Sequence, residues 1–381
     1  MKFTVFLFII IMATGCKNRE PKTHNDIKLL EINVTQSDLP KFMDQIKVID
    51  ICQLETNQNI LLGSVRKVTC RFDRYFIQDL QTQSLNVFNL EGKFLTKIGR
   101  KGKGPGEFTE LRDFSITNDS IVHVLTYQKI VKYDIKGKLI DEIKISHINH
   151  LNPLHLATDD GKTYFLWQGT FSDDSDRKYM PCLLYSFDLN GKKVKNQYFP
   201  IKRTIVDGIQ FNNCSNGIIL RPTFGSNTIY KIVGDSLFDS FTVDFGKDQL
   251  DENLLENGFG NNVIRQYMNL RSNSKYCVGI DNVLETEKYY YFTFFYDKRM
   301  KQLIYSKNTR NYCIDNVNPF TYMICTNNNQ LVSLIEPINF SMLKEFFSKG
   351  KITEESYSKL EKIKVDKSSN PILIVYEINR F

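Results

Sequence analysis

The sequence predicts an all-β fold, a single six-bladed β-propeller with short helical insertions, and three observations carry that prediction. A six-residue pattern recurs three times: Phe88-Asn-Leu-Glu-Gly-Lys93, Tyr133-Asp-Ile-Lys-Gly-Lys138 and Phe187-Asp-Leu-Asn-Gly-Lys192, with aromatic positions 45 and 54 residues apart. Alternating polarity that stops at Gly describes a strand ending in a hairpin turn, because Gly tolerates the positive φ such turns need. The match also extends upstream at an offset of 46 residues, where Arg66 aligns with Arg112 and Tyr75-Phe-Ile77 with Ile121-Val-His123. Finally, residues 46–381 give 56 residues per blade for six blades. Seven would leave 48, too few for the two helical insertions described below. One small sheet cannot bury both faces until its neighbours stack on it, so repeats of this size close into a ring.

Taken in order, residues 1–15 form a signal peptide. Lys2 supplies the positive start, Phe3 to Met12 an apolar run of ten, and Ala13-Thr-Gly-Cys16 the cleavage region. As a helix those ten residues would span only about 15 Å against a bilayer core of roughly 30 Å, which favours a signal peptide over a membrane span. The small residues before Cys16 fit a lipobox, with Cys16 acylated and the new N-terminus, although Ala13 stands where Leu is usual. An ordinary secretory signal with an incidental Cys16 is the plainer alternative. Residues 16–45 are polar and short of periodic apolar positions, as a tether would be.

From Ile46 the chain alternates as strands do. Blade 1 is expected at Gly63–Thr69, Tyr75–Leu80, Ser84–Leu90 and Phe94–Ile98, and blade 2 from Leu111 to Ile145. Blade 3, His155 to Phe199, carries the acidic insertion Ser172-Asp-Asp-Ser-Asp-Arg177. Blade 4 runs from Ile209 to Phe245. Blade 5, Tyr276 to Ile314, holds Tyr289-Tyr-Tyr-Phe-Thr-Phe-Phe-Tyr296, an aromatic run suited to a buried strand. Blade 6 takes Phe320–Cys325, Gln330–Ile335 and Pro371–Ile378. Val48–Leu54 precedes the first full blade and is expected to pair with the last, closing the ring and removing its free edges. Asp248–Ser272 and Phe340–Lys364 break the rhythm as helices. In the second, Thr353 fits a cap ahead of Glu354 and Glu355.

Composition agrees. Tyr (19) and Phe (28) are abundant, as strands favour, and the formal net charge is only +7. Lys and Arg are spread along the chain, which argues against a nucleic-acid partner. If Cys16 is acylated, seven Cys remain, with no Cys-x-x-Cys, so neither a zinc ribbon nor a redox pair is indicated. Cys52 and Cys325 would share the closing blade, where a bridge between them is conceivable.

The segment Gly99-Arg-Lys-Gly-Lys-Gly-Pro-Gly-Glu-Phe108, following Phe94-Leu-Thr-Lys-Ile98, resembles the inter-blade crossing of six-bladed β-propeller lipoproteins of Bacteroidota, relatives of NHL-repeat propellers. Leu54-Glu-Thr56, Leu62-Gly63 and Asn370-Pro-Ile-Leu-Ile-Val-Tyr376 extend the similarity over nearly the whole mature chain. The family is defined by its fold, and most members have no assigned activity. The resemblance therefore implies architecture more than chemistry.

No local motif supplies an active site. There is no Gly-x-Ser-x-Gly, no His-Glu-x-x-His and no P-loop, since Pro105 follows Gly104 where Lys is required. Gly102, Gly104 and Gly106 mimic a dinucleotide fingerprint without the helix that should follow, so a tight crossing explains them. His147, His150 and His155 with Asp159 and Asp160 lack a known metal spacing, and Asp173, Asp174 and Asp176 suit an acidic surface loop. No metal site and no cofactor are assigned. Arg66 and Arg112 recur where innermost strands begin, a position that lines a propeller's channel mouth. With Arg221, and Trp167 as a stacking platform, they are candidates for an anionic or polyhydroxyl ligand. The competing reading pairs each Arg with a carboxylate of a neighbouring blade.

The expected protein is a lipid-anchored envelope component, associated with the outer membrane, whose propeller binds a glycan, peptide or partner protein. The alternative is a hydrolase or lyase acting on a polysaccharide or lactone, with its groups drawn from different blades.

Overall fold

In its first two copies the recurring hexapeptide is a capped hairpin; the turn of the third, residues 189–192, lies outside the described residues. In the first copy Asn89 Oδ1 accepts from Lys93 N at 2.8 Å, and Gly92 N donates to Asn89 O at 3.1 Å. In the second, Asp134 Oδ1 accepts from both Lys136 N and Lys138 N at 2.9 Å. The aromatic that opens each copy, Phe88, Tyr133 or Phe187, is buried. The motif therefore couples a core anchor to a short polar side chain that holds its own turn. Gly92 sits at φ +83°, and a Cβ there would come within 2.2 Å of Gln53 O. Gly92→Ala should lose about 1–3 kcal/mol from the backbone conformation alone and more from the clash. Gly234→Ala, at φ +56° with open space around it, should lose only the first part. Equal melting temperatures for the two variants would reject this account.

The computed structural model describes residues 20–22, 28–145, 151–168, 181–188, 193–200, 211–221, 226–251, 261–273, 275–347, 352–366, 368–379 and 381. Six sheets, each with four antiparallel strands, form the blades; in blades 1 to 5 those four run from the innermost strand outward in chain order. β1 (Lys28–Glu31) and β2 (Ile46–Gln53) precede blade 1, which is β3 to β6 (Val65–Arg71, Arg74–Asp79, Ser84–Asn89, Phe94–Ile98). The short parallel pair β7 (Arg100–Lys101) and β8 (Glu107–Phe108) makes the crossing to blade 2, β9 to β12 (Asp113–Ile116, Ile121–Leu125, Lys129–Asp134, Leu139–Lys144). Blade 3 is β13 to β16 (Pro153–Ala157, Thr163–Gln168, Cys182–Asp188, Lys193–Pro200), and blade 4 is β17 to β20 (Phe211–Cys214, Gly217–Leu220, Thr228–Val233, Ser236–Asp244). Helix α1 (Asn261–Asn273) leads into blade 5, β21 to β24 (Val278–Glu285, Tyr289–Tyr296, Arg299–Ser306, Tyr312–Asn316). Blade 6 is β25 to β27 (Met323–Asn327, Gln330–Ile335, Ile372–Ile378), with helices α2 (Phe340–Phe347) and α3 (Glu354–Lys362) inserted before β27.

The ring closes as expected: β2 is the outermost strand of blade 6, pairing antiparallel with β27 from Ile46↔Ile378 to Gln53↔Ile372. Thr353 caps α3, its Oγ1 accepting from Ser356 N at 3.2 Å. The second strands are buried almost throughout, as Thr163–Gln168 shows, because both faces of each blade are covered by neighbours.

Two expectations are revised. Residues 28–45, expected as part of a polar tether, pack along the outer edges of blades 4 to 6. β1 adds to blade 4 as a fifth, parallel strand, Tyr312 Oη of blade 5 accepts from Asn33 N at 2.9 Å, and Phe42 is fully buried. A polar average concealed three buried apolar side chains, Leu30, Ile32 and Phe42. The bridge between Cys52 and Cys325 does not form, and both are free thiols. They lie on the outermost and innermost strands of one sheet, about 14 Å apart at strand spacing, beyond the roughly 7 Å a disulfide spans.

Candidate functional site

The ring has two unlike faces. On the entry face innermost strands begin and the blade-to-blade crossings run; on the hairpin face lie the first and third turns of each blade.

The glycine-rich crossing lies on the entry face and is internally satisfied. Gly104 N donates to Glu107 Oε2 at 2.8 Å, Gly106 N to Glu142 Oε1 at 2.7 Å and Gly102 N to Phe108 O at 3.0 Å. These amides are engaged, as a structural crossing requires.

The predicted arginines come from this face too, on three different blades. Arg112 donates through Nη1 to Asn152 Oδ1 (2.7 Å) and Pro153 O (2.9 Å) at the start of blade 3. Its Nε is 3.3 Å from Glu110, and its guanidinium lies 4.7 Å over the ring of Tyr127. Arg221, just after β18, pairs with Asp281 of blade 5. Arg66 is half-buried on β3. Arg112 and Arg221 thus tie adjacent blades together, though only Arg221 does so through a neighbouring blade's carboxylate. Trp167 does not join them. It is 2 % exposed, the penultimate residue of β14, with its ring 6.2 Å from that of Phe199, and a ring so enclosed offers no platform. Cys16, His147, His150 and Asp173, Asp174 and Asp176 lie outside the described residues.

Two buried ionic clusters brace the ring. Lys67 of blade 1 donates to Asp113 Oδ1 of blade 2 at 2.8 Å, and Asp113 Oδ2 accepts from Leu156 N of blade 3 at 2.9 Å with His155 Nδ1 at 3.6 Å. Burial alone would raise the Asp113 pKa, but the Lys67 ammonium and His155 overrule it and hold the carboxyl well below the ordinary range. Between blades 4 and 5, Glu285 lies 2.6 Å from both Lys231 and Lys307. Again burial opposes and the two lysines prevail, lowering its pKa. His123, driven down to about 3 mainly by burial and then by Lys132, is a neutral partner of Tyr164 Oη at 3.0 Å. Asp113, Glu285 and His123 are therefore consumed as struts between neighbouring blades. Among the described residues no group of three or more His, Cys, Asp or Glu could hold a metal ion.

The hairpin face is different. A cavity of about 330 Å³ opens there, lined from blades 1, 4, 5 and 6, notably by Arg71, Phe72, Asn213, Glu287, Asn327 and Asn329. It is the mouth of the axial channel, since its walls are the ends of innermost strands and the turns that follow. Phe72 and Asp73, the two central residues of the β3–β4 hairpin, both take positive φ (51° and 53°), and so does Asn328 (53°). A left-handed Phe is costly, and its ring is 38 % exposed. The Arg71 guanidinium lies 5.5 Å over that ring. Arg71 also donates to Ile116 O at 2.7 Å and to Asn118 Oδ1. Asn329 donates to Glu287 Oε2 at 3.2 Å, while its own Oδ1 is buried without a hydrogen-bond partner among the described residues. The thiols of Cys70 and Cys214 on the wall are pushed up to about 12, chiefly by burial, so neither is a thiolate at neutral pH.

Sequence reasoning missed this mouth because its residues come from turns of four different blades, between Cys70 and Asn329. The signal available was the recurrence of turn-forming Asn at equivalent hairpins, Asn212-Asn-Cys-Ser-Asn216 and Asn327-Asn-Asn329.

Ring, struts and polar mouth define the class: a six-bladed β-propeller closed by its own N-terminal strand. The chain belongs to the DUF4934 family, a domain of unknown function whose model matches residues 26–377. A crystal structure of a Bacteroides fragilis NCTC 9343 protein, described as putatively exported, superposes with a TM-score of 0.74 at 16% identity, covering 93% of this chain and 100% of that one. A DUF4221 family member from Bacteroides vulgatus ATCC 8482 gives 0.51 at 11% identity, covering 89% and 100%. These likenesses establish the fold. No curated protein matches the chain. Among the described residues no helix is long and apolar enough to cross a membrane.

Proposed function

We propose that this chain is a binding protein of the cell envelope, anchored through acylated Cys16, that takes a polyhydroxylated ligand, a glycan, in the mouth on the hairpin face. One observation carries the reading: neutral amides from two blades, Asn213 of blade 4 with Asn327 and Asn329 of blade 6, converge beside an exposed aromatic ring held in a strained conformation. Sugars present paired hydroxyls that planar amides and guanidinium groups satisfy, and apolar ring faces that stack on aromatics. The unpartnered Asn329 Oδ1 supports the same reading, because a buried acceptor gains most from a ligand hydroxyl. The exported description of the Bacteroides fragilis relative supports the envelope location.

Neutral oligosaccharides on a glycan array, followed by calorimetry on any hit, test it. Phe72→Asn removes the ring and suits the left-handed backbone, so it should raise the melting temperature while weakening binding about tenfold, the equivalent of about 1.4 kcal/mol. Asn329→Ala should weaken binding by a similar factor, whereas Arg112→Ala on the opposite face should leave it unchanged. Binding that survives both mouth substitutions, or that fails only with Arg112→Ala, would reject the assignment.

A further inference from the structure

We propose that the hairpin face, channel mouth included, is held against the anionic surface of the bilayer that carries the Cys16 anchor; the proposal rests on the acylation of Cys16. Lys22 is only six residues beyond Cys16. Six residues reach at most roughly 20 Å, even fully extended. Lys22 is docked on the propeller: its N donates to Leu237 O at 3.0 Å, its O accepts from Asp239 N at 3.2 Å, and its Nζ donates to Ser236 Oγ at 2.7 Å. Ser236 begins β20 directly after the Gly234-Asp235 turn, which is on the hairpin face.

A continuous set of contacts then leads from that docking point to the mouth. Asp235 lies 3.4 Å from Lys195, Gly234 N donates to Asp159 Oδ2 of blade 3 at 2.7 Å, and Asp159 is in electrostatic reach of Arg71 at the mouth. The anchor therefore enters on the mouth's side, on a tether of roughly 20 Å at most.

The turns on this face also carry the lysines of the repeat. Lys93, Lys136 and Lys138 are exposed at the third turns of blades 1 and 2, and Lys288 and Arg310 at the hairpin turns of blade 5. Acidic residues are interspersed, Glu91, Asp119, Asp160 and Glu287 among them. Basic residues line the entry face as well, so charge alone does not choose a side. The short anchor chooses, and the lysines it brings within a Debye length of anionic headgroups add attraction.

Lysine footprinting with sulfosuccinimidyl acetate decides the matter. The full acylated protein in vesicles of phosphatidylethanolamine and phosphatidylglycerol is compared with Cys16→Ser protein mixed with the same vesicles. Lys93, Lys138 and Lys288 should label about fivefold more slowly in the acylated sample, as expected for lysines drawn to an anionic surface. Lys103 and Lys144 on the entry face should label equally in both samples. Protection confined to Lys22 and Lys195 would mean an edge-on attachment and overturn the proposal, as would uniform labelling. The mass of the N-terminal peptide reports acylation separately. An unacylated Cys16 removes the anchor and the orientation together, whereas an acylated protein without the pattern removes the orientation alone.

Discussion

Asp113→Asn is expected to lose about 3–5 kcal/mol of folding stability, the cost of breaking a buried ion pair from one side. The substitution leaves the Lys67 ammonium buried over the Phe114 ring, 4.9 Å from its centroid, with only neutral oxygens, the Phe114 carbonyl among them, in place of its counter-charge. It also weakens the acceptor that holds Leu156 N of blade 3, so two seams of the ring loosen at once. Denaturant unfolding would read the loss directly. Lys67→Met combined with Asp113→Leu should recover much of it, because removing both charges leaves no charge buried and unpaired; the part not recovered reflects the acceptor lost to Leu156 N. A double variant no better than the single one would show that the charge pair is not the reason. The pH dependence follows from the same geometry. The carboxyl is depressed below its ordinary value of 3.8, so its contribution is complete above about pH 4 and is lost as the pH falls below that. Between pH 7 and 5 Asp113 should contribute no slope, and the wild-type protein should lose stability in acid faster than Asp113→Asn does.

Glu285→Gln should have an effect of the same order, about 3–5 kcal/mol, for a related reason. Here one carboxylate balances two ammonium groups, and its removal leaves Lys231 and Lys307 facing each other. Lys28 stands close by, its own pKa lowered by burial first and then by Lys307 and Arg310. Its ammonium lies 5.5 Å over the rings of both Tyr290 and Tyr305. Losing Glu285 therefore also penalises the docking of β1, which carries Lys28. Amide exchange at Lys28–Glu31 should quicken in Glu285→Gln more than exchange in β4 or β10 of the far blades. If β1 stays protected while the whole protein is destabilised, the link between this cluster and the N-terminal strand is wrong.

The ring was legible because its signals are local. An aromatic, a turn-capping Asn or Asp and a Gly at φ +83° or +86° sit within six residues of one another, and each copy reports one blade. Closure was legible for a similar reason, since an orphan strand at the start of a ring has only one edge left to fill. β1 was not. It adds in parallel to blade 4, a partner about 210 residues away, and only Leu30 and Ile32 betray it within a polar stretch. The arginines show the limit of repeat arithmetic. Recurrence correctly placed Arg66 and Arg112 at matching positions, yet Arg112 recurs because a seam between blades needs donors for exposed carbonyls. The mouth could not be assembled from sequence, because side-chain convergence across an axis depends on how many blades there are and how they tilt.

Strand β2 holds one more implication. The seam joining Ile46 to Ile378 unites residues 332 positions apart, and the strand that seals it, Ile372–Ile378, follows every other strand of the ring in chain order. A growing chain can therefore assemble blades 1 to 5 in turn, but blade 6 stays half-built until Ile372–Ile378 has been made. Contacts of such long range form slowly. A polypeptide built this way remains threadable for as long as that strand is missing, and deleting Ile372–Ile378 would leave the wheel without its clasp.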